Sequence, residues 1–224
     1  MQSHTASLFN AGPVKRILDL AVKAQESSGT ILLDDELRRF IRTVENDSST
    51  QWVCPIYTAT ALLDLAGDAI DSGAIESMPP DFQKTVSRAA AGMNCGEYLH
   101  TMAGMIRLLD QEGVPDYSEL PMAPWEMRVR FPGLKGFGVN WIYDGDYSSL
   151  AESTAAAIAS EHPLCDEFLS PLAAEAQAAL VLFPDPRSMQ LSLAREIEWV
   201  SVSSLRELVT RINEHMLEEH GHRS

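Results

Sequence analysis

The feature that most constrains the fold is a succession of apolar stripes in the first half of the chain. Between residues 13 and 113, apolar side chains recur at intervals of three or four positions, which is the spacing of one helical face. Breaks rich in Gly, Ser, Asp and Pro separate these stripes, as is typical of helix ends and starts. The N-terminal half is therefore predicted to be a run of about five helices.

The second half of the sequence indicates strands as well as helices. Residues 125–131 and 137–143 are rich in aromatic and β-branched residues, with proline and glycine between them. This pattern is typical of an antiparallel hairpin. The alternation of apolar residues over 189–193 and the apolar run over 197–202 predict further strands.

Two capping patterns predict helices in the same half. Ser149 is followed three residues later by Glu152, and Ser204 by Glu207. In this pattern, each serine side chain can accept a hydrogen bond from the backbone N–H of the glutamate, and the glutamate side chain can accept one from the backbone N–H of the serine. The apolar residues after Ser204 share one face, so we predict a closing helix that starts there.

Together these patterns predict an α+β fold, with a mainly helical N-terminal half packed with a small, mostly antiparallel sheet and helices in the C-terminal half. We expect a single domain over residues 12–219, with a helical half at 12–113 and a β-containing half at 114–219. Residues 1–11 are predicted to form a flexible N-terminus, and residues 220–224 a frayed tail.

The chain is strongly acidic, with a formal net charge of −15 from 32 acidic and 17 basic residues. Such a field repels phosphate backbones and anionic membranes, so we expect neither a nucleic acid nor a membrane as partner. No apolar run approaches the roughly 20 residues of a membrane span, and no secretory signal is expected. Three widely separated cysteines indicate reduced thiols and a cytoplasmic location.

Cys95 is the best candidate for a catalytic nucleophile. It lies just before a predicted helix start, where backbone amides and the helix dipole could lower the thiol pKa. His100 would be the nearest base, whereas the adjacent Glu97 would oppose a thiolate. A packed, unreactive cysteine is the simpler interpretation.

Metal binding has two sequence signals, and neither predicts a functional site. Glu97 and His100 have the ExxH spacing of di-metal helix bundles, but the only second copy is Glu219 with His222 in the tail. The tail also offers a set of possible ligands: His215, Glu218, His220 and His222. Ligands on a frayed end are not preorganised, so adventitious binding is favoured, and no metal and no cofactor are predicted.

Two sets of residues are candidates for binding a partner. Asp64, Asp68 and Asp71 follow one face of the third predicted helix, as either a solvated surface or an acidic docking surface. Trp141 and Tyr143, in a predicted strand, either pack in the core or form an interface hot spot.

Two functional hypotheses follow. The first is a protein-binding module that recognises a more basic protein, as a neutraliser of the immunity type, a chaperone or an adaptor would. The alternative is an enzyme or small-ligand-binding protein whose site is assembled from dispersed residues around Cys95 and His100.

Overall fold

The computed structural model describes residues 12–46, 54–73 and 78–221, and none of these residues belongs to a β-strand. The predicted α+β fold with its antiparallel sheet is therefore wrong, because the described chain is helical. Contacts within the chain define two compact units that meet in sequence between Pro115 and Asp116. The expected flexible N-terminus, at residues 1–11, and residues 222–224 of the expected tail lie outside the described ranges.

The first unit confirms the predicted run of helices. Its described helices are α1 (Pro13–Glu26), α2 (Leu33–Asn46), α3 (Ile56–Asp71), α4 (Pro80–Ala90) and α5 (Cys95–Glu112). Each has the apolar stripe that the sequence predicted, and α1 buries its stripe from Val14 onwards. The closest pairing is between α3 and α5, which pack along each other. This pairing positions the first of two clusters of polar side chains.

The second unit is also helical. It contains α6 (Pro124–Arg130), α7 (Pro132–Trp141), α8 (Leu150–Glu161), α9 (Cys165–Leu182), α10 (Pro186–Ser192), α11 (Val202–His215) and a π-turn (Met216–His220). Its core includes fully buried residues of α9 and α11, among them Ala176, Leu205 and Leu208. Within the described ranges, no helix of either unit combines the length and the apolar character that a membrane span requires.

The predicted hairpin is replaced by the helices α6 and α7. Pro124 and Pro132 each stand in the first turn of a helix, where the missing N–H of proline costs no hydrogen bond. Met127, Phe131 and Leu134 are buried at helical intervals of four and three. The aromatic residues of this segment are there because it is buried, and not because it forms a strand.

The predicted strand over 189–193 is also wrong, since α10 covers most of it. Asp185 caps α10 by accepting hydrogen bonds from the backbone N–H groups of Arg187 and Ser188, both at 3.0 Å. Met189 and Leu193 are buried, whereas Leu191 is 54% exposed. The buried pair is therefore four residues apart, as on a helix, and the apparent alternation included a surface residue.

The two capped helices are real, but one starts earlier than predicted. Ser149 accepts a hydrogen bond from the backbone N–H of Glu152 at 3.2 Å, which confirms the cap of α8. The cap of α11 is Ser201 rather than Ser204, because the two serines bond each other's backbone N–H groups at 3.0 Å and 2.8 Å. The predicted strand over 197–202 is replaced by turns leading into α11.

A carboxylate from α9 holds the start of α7. Glu175 accepts hydrogen bonds from the backbone N–H groups of Gly133 at 3.0 Å and of Leu134 at 2.9 Å. These amides lie in the first turn of α7, where a helix cannot supply its own acceptors. Glu175 therefore acts as an N-cap donated by a neighbouring helix.

We predict that Glu175→Ala lowers the free energy of unfolding by about 1–2 kcal/mol, the usual cost of losing an N-cap. The measurement is urea unfolding followed by circular dichroism. Gln177→Ala, at an exposed position of the same helix, is the matched control and should change stability by no more than about 0.5 kcal/mol. Equal effects of the two substitutions would contradict the capping role.

Candidate functional site

The structure brings the predicted aspartates of α3 together with the predicted histidine of α5. The Nδ1 atom of His100 lies 3.1 Å from Oδ1 of Asp64. Its Nε2 atom lies 3.5 Å from Asp68 and 3.8 Å from Asp71. Arg107, two helical turns further along α5, also pairs with Asp64. The acidic row is therefore partly neutralised within the first unit.

Two glycines allow this close approach of α3 and α5. A Cβ atom on Gly67 would lie 2.7 Å from Nε2 of His100, and one on Gly96 would lie 1.9 Å from Oδ1 of Asp71. Any side chain at these positions would force the polar groups apart. The glycines thus leave the space that the imidazole and the Asp71 carboxylate occupy between the two helices.

The charges in this cluster shift the pKa values of both partners. The hydrogen bond to Asp64 raises the pKa of His100, and the charges of Asp68 and Asp71 raise it further against a smaller opposing effect of burial. Partial burial alone would raise the pKa of Asp64, but the hydrogen bonds from Arg107 and His100 outweigh it and lower that pKa. The arrangement favours an imidazolium held between carboxylates.

The other predicted catalytic residues do not join this cluster. Cys95 is the first residue of α5 and is partly exposed, and no hydrogen bond connects it to His100 in the described structure. The side chain of Asn94 takes up the backbone N–H groups of Gly96 and Glu97, which would otherwise be available to an anion. The expected cysteine–histidine pair is therefore not assembled.

The aromatic candidates lie in the second unit. Trp141 ends α7, packs against the hydrophobic core and has the ring of Tyr147 at a centroid distance of 6.3 Å. Tyr143 follows the helix and is 49% exposed. Trp141 therefore packs in the core at least in part, whereas Tyr143 remains available to a partner.

A second cluster of four side chains converges in the second unit. One ligand atom from each of His162, Cys165, His215 and His220 lies within 4.8 Å of the other three. The three imidazole rings form a nearly equilateral triangle with centroid distances of 5.4–5.6 Å. Their planes are inclined by 51–79°, so the rings are not stacked on one another. The nitrogens and the thiol therefore point towards a common centre.

Three chain segments build this second cluster. His162 caps the C-terminus of α8 directly before Pro163, where a helix has to end, and Cys165 begins α9 three residues later. His215 is the last residue of α11, which packs against both α8 and α9, and His220 ends the π-turn. The cluster thus joins the turn between α8 and α9 to the end of α11.

The distances suit tetrahedral coordination. The Sγ atom of Cys165 lies 3.2 Å from Nε2 of His215 and 3.7 Å from Nδ1 of His162. In a zinc site, bonds of about 2.3 Å to sulfur and about 2.0–2.1 Å to nitrogen place two tetrahedral ligand atoms roughly 3.5 Å apart. Both sulfur–nitrogen distances fall within a few tenths of an ångström of that separation.

The electrostatic surroundings of the cluster favour a cation. Burial raises the pKa of the Cys165 thiol, and the carboxylates of Asp166 and Glu161 raise it further. The segments 161–170 and 212–221 contain no Lys or Arg but six carboxylates: Glu161, Asp166, Glu167, Glu214, Glu218 and Glu219. The Nε2 atom of His220 is buried and has no hydrogen-bond partner among the described residues. A bound metal ion would satisfy this nitrogen and balance the acidic field.

Only half of this cluster was predicted from the sequence. His215 and His220 were considered as tail ligands with Glu218 and His222, and His222 lies outside the described residues. His162 and Cys165 were not considered as ligands, although a His and a Cys three residues apart on either side of a helix start can face one site. The expectation that the protein holds no metal stays untested.

The His100 cluster predicts a pH dependence of stability. Because the folded pKa of His100 is raised above the unfolded value of about 6.5, its contribution is complete below pH 6.5 and is lost as the pH rises through the folded pKa. The ring is 36% exposed, so we expect less than about 1 kcal/mol after screening. Urea unfolding of the wild type and of His100→Gln between pH 6 and pH 9 measures it. An unchanged pH slope in the variant would contradict the assignment.

Comparison with known proteins does not place the chain in a family. No protein-family model matches it, and no curated protein and no solved structure is significantly similar to it. The chemistry of the two clusters therefore rests on their own residues and geometry.

Proposed function

We propose that the protein binds a transition-metal ion, and specifically Zn²⁺, through the second cluster. We call this cluster the Cys–His₃ site; it consists of His162, Cys165, His215 and His220. The convergence of four ligand atoms within 4.8 Å of one another carries this proposal. The two sulfur–nitrogen distances are close to those of tetrahedral coordination.

The kinds of ligand select the class of metal. A thiolate and three neutral imidazoles suit Zn²⁺, Co²⁺ or Cu⁺, whereas Mg²⁺ and Ca²⁺ require oxygen ligands. The metal would displace the thiol proton of Cys165, and the surrounding carboxylates would favour the approach of the cation. We name zinc because its structural sites are almost always four-coordinate and tetrahedral with Cys and His ligands, and the two sulfur–nitrogen distances suit that geometry.

The number of protein ligands indicates a structural rather than a catalytic role. Catalytic zinc usually keeps one of its four positions open for water or substrate, whereas four protein ligands close the site. The ion would tie the turn between α8 and α9 to the end of α11, so its binding energy would stabilise the fold of the second unit. A reduced thiol ligand is consistent with the cytoplasmic location that we expect.

Recognition of a more basic protein remains a prediction and would use other residues. Asp64 is already paired with Arg107 and His100, whereas Asp68 is 75% exposed. An acidic docking surface on the first unit would therefore depend on Asp68 and Asp71. The alternative of an enzyme around Cys95 and His100 also remains a prediction, with the two side chains not hydrogen-bonded to each other.

Titration of untagged, reduced, metal-stripped protein with Co²⁺ tests the proposed function. We expect one Co²⁺ per chain, with the strong visible absorption of a tetrahedral ion and a sulfur-to-cobalt charge-transfer band in the near ultraviolet, both abolished by added Zn²⁺. No such spectrum would contradict the proposal and leave the cluster as a hydrogen-bonded group of a thiol and imidazoles.

Two matched pairs of substitutions locate the site. Cys165→Ser should remove the charge-transfer band, whereas Cys95→Ser, in the first unit, should leave it intact. His220→Ala should weaken binding by at least about tenfold, because loss of a direct ligand costs no less than loss of an outer-shell partner. His222→Ala should have little effect. Equal losses with His220→Ala and His222→Ala would indicate unspecific chelation by the tail.

A further inference from the structure

The spacing of two ligands in the Cys–His₃ site requires an unusual backbone. His215 and His220 are five residues apart, and five steps along an α-helix of 3.6 residues per turn leave two side chains about 140° apart around the axis. In a π-turn, each N–H bonds the C=O five residues earlier, so residues five apart lie on successive turns of the same face. The π-turn at Met216–His220 is therefore what places both imidazoles in one site.

Packing explains the π-turn only in part, because Met216, its first residue, is partly buried against the hydrophobic core. None of its five residues is buried, and Leu217 is 72% exposed. π-turns are rare because their hydrogen bonds and packing are less favourable than those of an α-helix, and they occur frequently at functional sites. The regular helix α11 precedes the π-turn. Its sequence contains no proline or other residue that would end the α-helical register at His215.

The residue that follows the π-turn is adapted to it. A Cβ atom at Gly221 would lie 2.4 Å from the carbonyl oxygen of Leu217, a distance that real Cβ atoms do not show. Because the obstacle is backbone, no side-chain movement could relieve it. The exit from the π-turn therefore accepts glycine alone.

We propose that metal binding selects the π-turn, so that the C-terminal end of the described chain is a metal-responsive element. This inference rests on the proposed function and adds its conformational consequence. With the ion bound, His220 is drawn to the same centre as Cys165 and the π-turn forms. Without it, the segment 216–221 leaves the π-turn, because among the described residues the partial burial of Met216 is the one contact that the turn makes with the hydrophobic core.

Metal binding favours the π-turn because the binding equilibrium and the equilibrium between the π-turn and its alternatives are linked. An ion that binds the π-turn and not its alternatives stabilises the π-turn by its own binding free energy. At a free Zn²⁺ concentration 100 times the dissociation constant, this shifts the local equilibrium by roughly a hundredfold. The helix α11 keeps its position in both states, because Leu205, Leu208 and Ile212 are buried in the core.

The first test is hydrogen–deuterium exchange of the full chain with and without Zn²⁺, read by mass spectrometry. In the metal-free protein, we expect amides of 216–221 to exchange at close to the unprotected rate while those of 205–212 remain protected. With Zn²⁺ at 100 times the dissociation constant, exchange in 216–221 should slow by roughly a hundredfold. Full protection of 216–221 in the metal-free protein would overturn the inference.

Deletion of Leu217 provides a second test that does not depend on loss of binding. The deletion places the two histidines four residues apart, so an ordinary α-helix presents both to the site. We expect the deletion variant to bind Co²⁺ at least as tightly as the wild type and with the same tetrahedral spectrum. A loss of binding of about tenfold or more in this variant would overturn the inference.

Gly221→Ala is the complementary variant, because its side chain obstructs the π-turn and touches no ligand. It should weaken Co²⁺ binding in the wild-type background by about tenfold and have little effect once Leu217 is deleted, since an α-helix tolerates alanine. Equal effects in both backgrounds would overturn the inference.

If the wild type binds Co²⁺ tetrahedrally while exchange in 216–221 is insensitive to metal, the inference fails and the proposed function stands. If the wild type does not bind, both fail.

Discussion

The burial of one face of α11 against α8 and α9 is the interaction on which the Cys–His₃ site depends. Leu205, Leu208 and Ile212 are each almost completely buried, and burying such side chains contributes about 1.5–3 kcal/mol apiece. The three together outweigh a single hydrogen bond, which contributes about 1 kcal/mol net. This packing fixes the axis of α11 and brings its last residue, His215, to within 3.2 Å of the thiol of Cys165. The ligands are therefore positioned by hydrophobic packing before any metal is considered.

The sequence predicted the long helices and failed on the short ones, for a physical reason. The helices of the first unit run for 11 to 18 residues, long enough for an apolar stripe to repeat several times. In contrast, α6 and α10 have seven residues each, which is two turns and too few to distinguish a helical period from alternation. Around α6, the aromatic residues favoured a strand prediction, but aromatic residues are also common in buried helices.

The sites were harder to predict than the helices, because periodicity identifies a face but not the face that it meets. Asp64, Asp68 and Asp71 were assigned to one surface of α3, and His100 was singled out on α5, yet only packing of the two helices at Gly67 and Gly96 joins them. In the second unit, Cys165 and His215 are 50 residues apart in sequence. His215 and His220 have a spacing that no regular α-helix brings together, so no helical pattern could have connected them.

Charge has different consequences in the two clusters. In the first unit, the carboxylates of α3 are balanced by cations that the chain supplies, since Asp64 pairs with His100 and Arg107. In the second unit, Arg211 is the nearest Lys or Arg to His215 along α11, and it pairs with Glu207. Burial raises the pKa of the Cys165 thiol, and two of the six carboxylates in the segments around the Cys–His₃ site, Asp166 and Glu161, raise it further, so they create a negative potential there. A negative potential at a cluster of imidazole nitrogens and a thiol favours a cation bound among them. A metal ion would place its positive charge where, within the described residues, these four ligand atoms converge.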